Sequence, residues 1–258
     1  MTIAFHRAPR IEVPGTFNFR DLGGHSTRDG ATVATGRLYR ADGLGRLGDD
    51  GIAMLKEMRI VSVVDLREEK EVANIPDTVD GLGARYSHMP LLGNRYFPLD
   101  ANIPDRIVLD PPSLPGLYAA MIETAGPRFV DVISHLSEVE EDAAVFHCSA
   151  GKDRTGLIAA FVLSLLGVER DAVIQDYALT EEYLGEEFRA ALRSHFSSAG
   201  ISTVSTMATD AKPEWLADVL DRLDRDHGGV EGYLVDHGLR DGVADRLRSS
   251  LTAPAARS

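Results

Sequence analysis

The 258-residue chain predicts one α/β domain, with a small, mainly parallel sheet between layers of helices and a helix-rich C-terminal half. Three observations carry that expectation. Ile60 to Leu66 is a Val-rich apolar run, the mark of a strand buried on both faces of a parallel sheet. Ala143 to Phe146 is a second short buried strand, and Thr155 to Leu166 follows it as a helix that is apolar nearly all round, hence buried. After Glu169 the chain turns almost wholly helical. Strands alternating with helices imply a parallel sheet covered on both faces.

The remaining elements follow in order. Up to about Asp42 the chain is turn-rich, with Gly23-Gly24, Asp29-Gly30 and Gly36, and short strands such as Arg37 to Tyr39 are expected there. Asp49 to Met58 reads as a helix, with Ile52, Leu55 and Met58 at helical spacing. Arg85 to Met89 is a candidate strand. Pro127 to Val139 places Phe129, Val130, Ile133 and Leu136 on one helical face. Candidate helices of the second half are Arg170 to Ala178, Glu181 to Phe196, Pro213 to Asp226, Val230 to Asp236 and Leu239 to Leu251. Ser197 to Lys212 shows neither period, and loops of that length are often lids or binding loops. The segment 181–212 is therefore a candidate lid. The tail, Thr252 to Ser258, is small and polar and is expected to fray. No linker divides the chain, so residues 1–258 read as one domain.

Composition narrows the function. Hydrophobic residues at 44% suffice for a real core, and the charge of −13 excludes a general nucleic-acid binder, which needs a basic surface. It also argues against adhesion to anionic membranes, and no apolar run is long enough for stable membrane insertion. The excess of Arg over Lys suits a high-GC bacterial genome. One Cys permits no internal disulfide. Met1 to Gly15 has no apolar h-region, so the expectation is cytoplasmic, with signal-independent export left open. The oligomeric state is not legible.

The chemistry concentrates in His147-Cys148-Ser149-Ala150-Gly151-Lys152-Asp153-Arg154-Thr155-Gly156, between the buried strand and the buried helix. Ligands bind at the carboxyl ends of parallel strands. Backbone N–H groups of a loop entering a helix converge on an anion, here Ser149, Ala150, Gly151, Lys152, Thr155 and Gly156. Arg154 adds a planar two-pronged grip on phosphate oxygens. A thiol beside a helix N-terminus and a cation loses its proton readily, so Cys148 is expected to be a thiolate that attacks phosphorus. His147 reads as a support for the loop. A Walker loop fails, because Asp153 stands where Ser or Thr should bind magnesium. One Cys and scattered His residues do not make a zinc site, and no cofactor is expected.

His147, Cys148, Gly151 and Arg154 spell H-C-x-x-G-x-x-R, which resembles the protein-tyrosine phosphatase superfamily. The fuller H-C-x-A-G-K-D-R-T-G resembles its bacterial branch of tyrosine and phosphoinositide phosphatases. Asn18-Phe19-Arg20-Asp21-Leu22-Gly23-Gly24, Leu38-Tyr39-Arg40-Ala41, Asp65-Leu66-Arg67 and Asp176-Tyr177 are similar to motifs of the same branch. The resemblance implies a three-layer α/β phosphatase domain. It also implies two-step hydrolysis through phosphocysteine, without metal, of phosphotyrosine, phosphoserine, phosphothreonine or phosphoinositide substrates. In that branch the loop Asp, here Asp153, is the general acid, and the loop Lys, here Lys152, goes with acceptance of phosphoinositides.

For the acid the residues themselves leave alternatives. No Trp-Pro-Asp exists; the single Trp is Trp215. Asp153 could instead cap the helix, and Asp65, at a strand end, is the reserve candidate. Asp100, Asp105 and Asp110 read as turn residues. Lys152 either meets a second phosphate or stays solvated, and Arg20 and Asp21 read as braces of a sheet edge or turn. Rival functions are a catalytically silent phosphate-binding module and a sulfurtransferase using Cys148.

Overall fold

The computed structural model describes residues 6–92, 113–139, 142–197 and 208–254. Its strands are β1 (Arg20–Asp21), β2 (Thr32–Val33), β3 (Leu38–Ala41), β4 (Ile60–Asp65), β5 (Arg85–His88), β6 (Ala143–His147) and β7 (Thr252–Ala253). Its helices are α1 (Asp49–Glu57), α2 (Glu69–Asn74), α3 (Leu114–Thr124), α4 (Gly126–Leu136), α5 (Asp153–Leu165), α6 (Arg170–Ser197), α7 (Pro213–His227), α8 (Val230–Asp236) and α9 (Val243–Leu251).

The main sheet has the order β1-β3-β6-β4-β5. Only β1 runs antiparallel; β3, β6, β4 and β5 are parallel to one another. Alternation along the strands feeds two cores. In β6, Ala143 and Val145 join a cluster with Val13, Phe19, Leu44 and Leu55, whereas Ala144 and Phe146 join the larger cluster built from α3 to α9. Val63 and Val64 of β4 split the same way. The helical layers are thus unequal, and the larger one holds the helix-rich second half. In α5, ten of thirteen residues are buried, so it is a central core helix, as its all-round apolar sequence predicts. No helix among the described residues is long and apolar enough to cross a membrane.

Several boundaries differ from expectation, each for a local reason. The predicted gap at Leu179-Thr180 is absent; α6 runs on and breaks instead at Gly185, at φ 46° and ψ −159°. The last helix starts at Val243, because Gly238 and Gly242 take positive φ. Thr252–Ala253 is not frayed: it pairs antiparallel with Thr32–Val33. Two helices were not foreseen. In α3 the Leu-Pro-Gly start looks like a breaker, yet Pro is tolerated in a first turn, and Ser113 Oγ accepts the Gly116 N–H at 3.2 Å. In α2 no residue is buried, so no apolar period marks it; a capping box between Glu68 and Glu71 starts it. Asp100, Asp105, Asp110 and most of the Ser197 to Lys212 stretch lie outside the described residues.

Candidate active site

The site grows from the carboxyl end of β6, the middle strand. His147 pairs with Ala41 at the end of β3 and with Asp65 at the end of β4, so three strand ends lie level. The chain leaves β6 at Cys148, loops through Ser149 to Lys152, and enters α5 at Asp153.

The loop is held from below through its carbonyls. Gly43 N–H donates to Ser149 O at 3.1 Å. Asn18 Nδ2 donates to Ala150 O and Gly151 O, both at 3.1 Å, and Arg40 Nη2 donates to Gly151 O at 2.8 Å. Gly156 N–H closes on Lys152 O at 2.7 Å. Gly151 sits at φ +65° against the end of β3, where a Cβ would come within 2.3 Å of Ala41 O. That position admits glycine only.

Asn18 and Arg40 are themselves braced by a buried ion network. Asp176 of α6 accepts from Arg20 Nε at 2.9 Å and from Arg40 Nη1 at 2.5 Å, all three side chains being buried. Arg20 also donates to Asn18 Oδ1. Burial alone would raise the Asp176 carboxyl, but the two guanidinium groups overcome it and hold it well below the usual carboxylate range. Arg40 is pushed down to about 10, first by burial and then by the like charge of Arg20. Arg20 stands on β1, the edge strand of the sheet, and its side chain works beneath the loop. Asp21 does brace a turn, accepting from Gly23 N–H at 2.7 Å and Gly36 N–H at 2.6 Å.

Above the loop lies a pocket of about 430 Å³ whose lining includes Cys148, Arg154, Asp153 and Glu71, with Phe188 and Leu192 from the far half of α6. Of the candidate lid segment 181–212, those two side chains and Ala208 line the pocket. Arg154 is clasped by Glu71 of α2, with Nη2 to Oε1 at 2.8 Å and Nη1 to Oε2 at 2.5 Å. Ser149 Oγ donates to the same Glu71 at 2.5 Å. Burial works to raise the Glu71 carboxyl, but Arg154 outweighs it and brings it down to about 2.

Asp153 is not a cap. The N-cap position is Lys152, which makes no side-chain cap, and Asp153 Oδ1 accepts from the Tyr118 hydroxyl of α3 at 2.6 Å. Lys152 is buried, not solvated, with Nζ 3.5 Å from Asp153 Oδ1. Thr155 Oγ1 is buried with no hydrogen-bond partner among the described residues. A Cβ at Gly156 would come within 2.9 Å of the Tyr177 ring.

Asp65 is not on the pocket lining. It is buried, accepts from Arg67 Nη2 at 2.6 Å and Nε at 2.9 Å and from Tyr86 OH at 2.6 Å. Burial pushes its carboxyl up, but those donors and nearby charges hold it well below the usual range. His147 is buried behind the loop, with Nε2 2.9 Å from Asp77 Oδ2 and Nδ1 3.2 Å from Cys148 O. Burial disfavours its protonation, yet Asp77 prevails and raises it. Asp65, Asp77 and His147 cluster closely enough to suggest a metal, but Arg67 occupies the midst of the acids, reaching Asp77 Oδ1 at 2.8 Å.

Sequence reasoning singled out Cys148, Arg154 and Asp153, which line one pocket, but not Glu71, Asp77 or Tyr118. Asn18, Arg40 and Asp176 stood in the motif strings without a role, which needed the fold to show.

A mainly parallel sheet whose middle strand leads through a Cys- and Arg-bearing loop into a buried helix defines an α/β protein with a pocket at the carboxyl ends of its parallel strands. The chain belongs to the tyrosine phosphatase family, whose profile matches residues 11–253. It is similar to the triple specificity protein phosphatase PtpB of Mycobacterium tuberculosis, at 28% identity over 278 residues, covering 93% of this chain and 98% of that protein. It is also similar to a tyrosine-protein phosphatase of Nostoc commune, 28% identical over 224 residues, covering 83% and 74% of the two chains. Among solved structures, P. aeruginosa TpbA in complex with pTyr aligns at 16% identity and a TM-score of 0.40, over 68% of this chain and 78% of that one.

Proposed function

We propose that this phosphatase hydrolyses phosphate monoesters through a phosphocysteine on Cys148. The observation that carries the reading is the convergence of Cys148, Arg154 and Asp153 on one pocket. Five successive loop carbonyls, Cys148 to Lys152, meet donors of the protein itself. In this reading the N–H groups of Ser149, Ala150 and Gly151 serve the phosphate oxygens, whereas the Gly156 N–H, expected to do so, is spent on Lys152 O. Cys148 Sγ attacks phosphorus in line while Arg154 and the loop stabilise the charge. Asp153 protonates the departing oxygen, and a water then hydrolyses the thiophosphate. The buried ion pair of Asp65 supports a bracing role for that residue. The reaction uses no metal or cofactor.

Phe188, Leu192 and Ile75 give the pocket an apolar wall suited to the ring of phosphotyrosine. We infer phosphotyrosine in proteins as the first substrate. A relative is named a triple specificity protein phosphatase, and on the resemblance of the loop we extend the substrate list to phosphoserine, phosphothreonine and phosphoinositides. Lys152 would bear on a second phosphate through the charge it adds beneath the loop, since its side chain is buried.

Acid-quenched reaction with radiolabelled phosphotyrosine peptide tests the reading. Labelled phosphate should remain on Cys148 in the parent chain and be absent from Cys148→Ser, whose turnover should fall below a few per cent. Turnover retained in that variant overturns the assignment. Transfer of sulfur to cyanide by the parent chain would favour the sulfurtransferase. Side-by-side rates on phosphopeptides and phosphoinositides rank the substrates.

A further inference from the structure

Asp153 is held by another element, not by its own loop. Its Oδ1 accepts from Tyr118 OH at 2.6 Å, and the Tyr118 hydroxyl lies 2.5 Å from that of Tyr177 on α6. Lys152 Nζ approaches the same oxygen at 3.5 Å. Tyr118 is 1% exposed and Tyr177 2%, and their rings meet edge to face at 6.2 Å. Two hydroxyls buried this deeply are costly unless paired. They pair with each other and, through Tyr118, with one carboxylate oxygen.

Each phenol has a single proton to give. Since Tyr118 gives its proton to Asp153, the contact behind it is filled by the proton of Tyr177. The chain is therefore directional, from Tyr177 to Tyr118 to Asp153 Oδ1. Burial, then the charge of Asp153, raises Tyr118 well above the ordinary phenol value, so it stays a donor. Gly156 leaves the room that lets Tyr177 lie against the first turn of α5. Asp153 meanwhile keeps 23% of its side chain exposed, on the pocket shared with Cys148.

We propose that Tyr118, backed by Tyr177, is the positioning residue for the general acid: it keeps Asp153 Oδ1 as an acceptor, so that the transferable proton is carried on Oδ2, facing the leaving oxygen. The inference rests on the reading of Asp153 as the acid. In the step itself the Sγ–P bond forms and the bond from phosphorus to the ester oxygen breaks. The proton moves from Oδ2 to that oxygen, leaving an alcohol and the Asp153 carboxylate. Tyr118 neither gains nor loses a proton; its hydrogen bond stabilises the carboxylate that forms.

The test is kinetic, on the full chain, with a phosphotyrosine peptide and with p-nitrophenyl phosphate, whose leaving group departs with little protonic help. Tyr118→Phe should lower kcat on the peptide roughly 10- to 100-fold, part of the 10²–10⁴ that an acid contributes. It should leave KM nearly unchanged and cost less than about twofold on the nitrophenyl ester. The double variant Tyr118→Phe/Asp153→Asn should be no slower than Asp153→Asn alone, because both act on one step. A merely structural tyrosine would slow both substrates alike and add to Asp153→Asn, and either result overturns the proposal. If Asp153→Asn shows leaving-group dependence and Tyr118→Phe does not, the tyrosine assignment alone fails. If Asp153→Asn shows none, the acid reading fails and takes the proposal with it. Should Tyr118→Phe not fold, Tyr177→Phe must show the same leaving-group-selective loss, though smaller, or the proposal falls.

Discussion

Arg154 comes with its own counter-ion. Of its five N–H donors, Glu71 engages one on each terminal nitrogen, and Glu68 Oε1 lies 3.9 Å from Nη1; in the proposed reaction the remaining donors meet phosphate. Glu71 thus orients the fork and neutralises it. Glu71→Ala should leave the Arg154 guanidinium with only the more distant Glu68, whose Oε1 lies 3.9 Å from Nη1, and cost about 3 kcal/mol. Inorganic phosphate can then supply the missing charge, so it should raise the melting temperature of Glu71→Ala more than that of the parent. Equal shifts in thermal denaturation would show that Arg154 does not face the phosphate. Arg154→Lys keeps the charge and loses the fork. Both kcat and phosphate affinity should drop, read from initial rates and from inhibition by phosphate; unchanged kinetics would remove Arg154 from the oxyanion site.

At the scale of elements, the break in α6 is what brings an apolar wall to the pocket. The first half of the helix carries Asp176 and Tyr177 beneath the loop, whereas Phe188 and Leu192 of the second half line the pocket above it. Gly185 joins them at φ 46° and ψ −159°, a region that residues with a Cβ populate only under strain. A Cβ there would meet nothing within 4 Å, so any cost is backbone strain and not crowding. Gly185→Ala should therefore destabilise by about 1–3 kcal/mol, or straighten the helix and displace Phe188. In the second case KM for aryl phosphates should rise several-fold while kcat holds. A variant with parental melting temperature and parental KM would show that the break is incidental. The reading of residues 181–212 as a lid makes a separate demand. Deleting residues between Ser197 and Ala208 should raise the rate on small aryl phosphates, and steady-state kinetics identical to the parent would remove the lid.

Across the whole molecule, the loop is held in place by parts distant in the chain. Asn18 and Arg20 come from the N-terminal segment, Arg40 from β3 and Asp176 from α6, and they meet only beneath Gly151. Asp176 bridges the two buried arginines. Its folded-state proton affinity is depressed, as is that of Glu71. Such groups stabilise the fold above their unfolded pKa of about 4, and that contribution is lost as pH falls through the folded values. Acid unfolding should therefore steepen below about pH 4. Asp176→Asn should cost about 3–5 kcal/mol at neutral pH, since two buried charges lose their partner. It should also flatten the acid limb of a stability curve measured by urea melts. A variant with an unchanged acid limb would mean that other carboxylates dominate.

By itself the sequence determined the parts whose signal is local. The Val-rich β4, the apolar β6 and α5, and the Cys148-to-Arg154 loop between them are legible because burial on all sides writes itself as uninterrupted apolar residues, and a phosphate loop needs a fixed spacing of thiol, glycine and guanidinium. Local signals also misled. Leu179-Thr180 read as a gap and lies inside a helix, and the helix that starts at Leu114 was not foreseen. Only the tertiary structure showed where each carboxylate lies and what it touches. Asp65 and Asp153 are both single acids at the edge of an apolar element; one is sealed against Arg67, and the other is held by a tyrosine 35 residues away in sequence while facing the pocket. Glu71 is one of several acids in a charged stretch until the fold sets it on Arg154. Such roles depend on which distant groups share the low-dielectric space around a charge, and no pattern of neighbours in the chain encodes that.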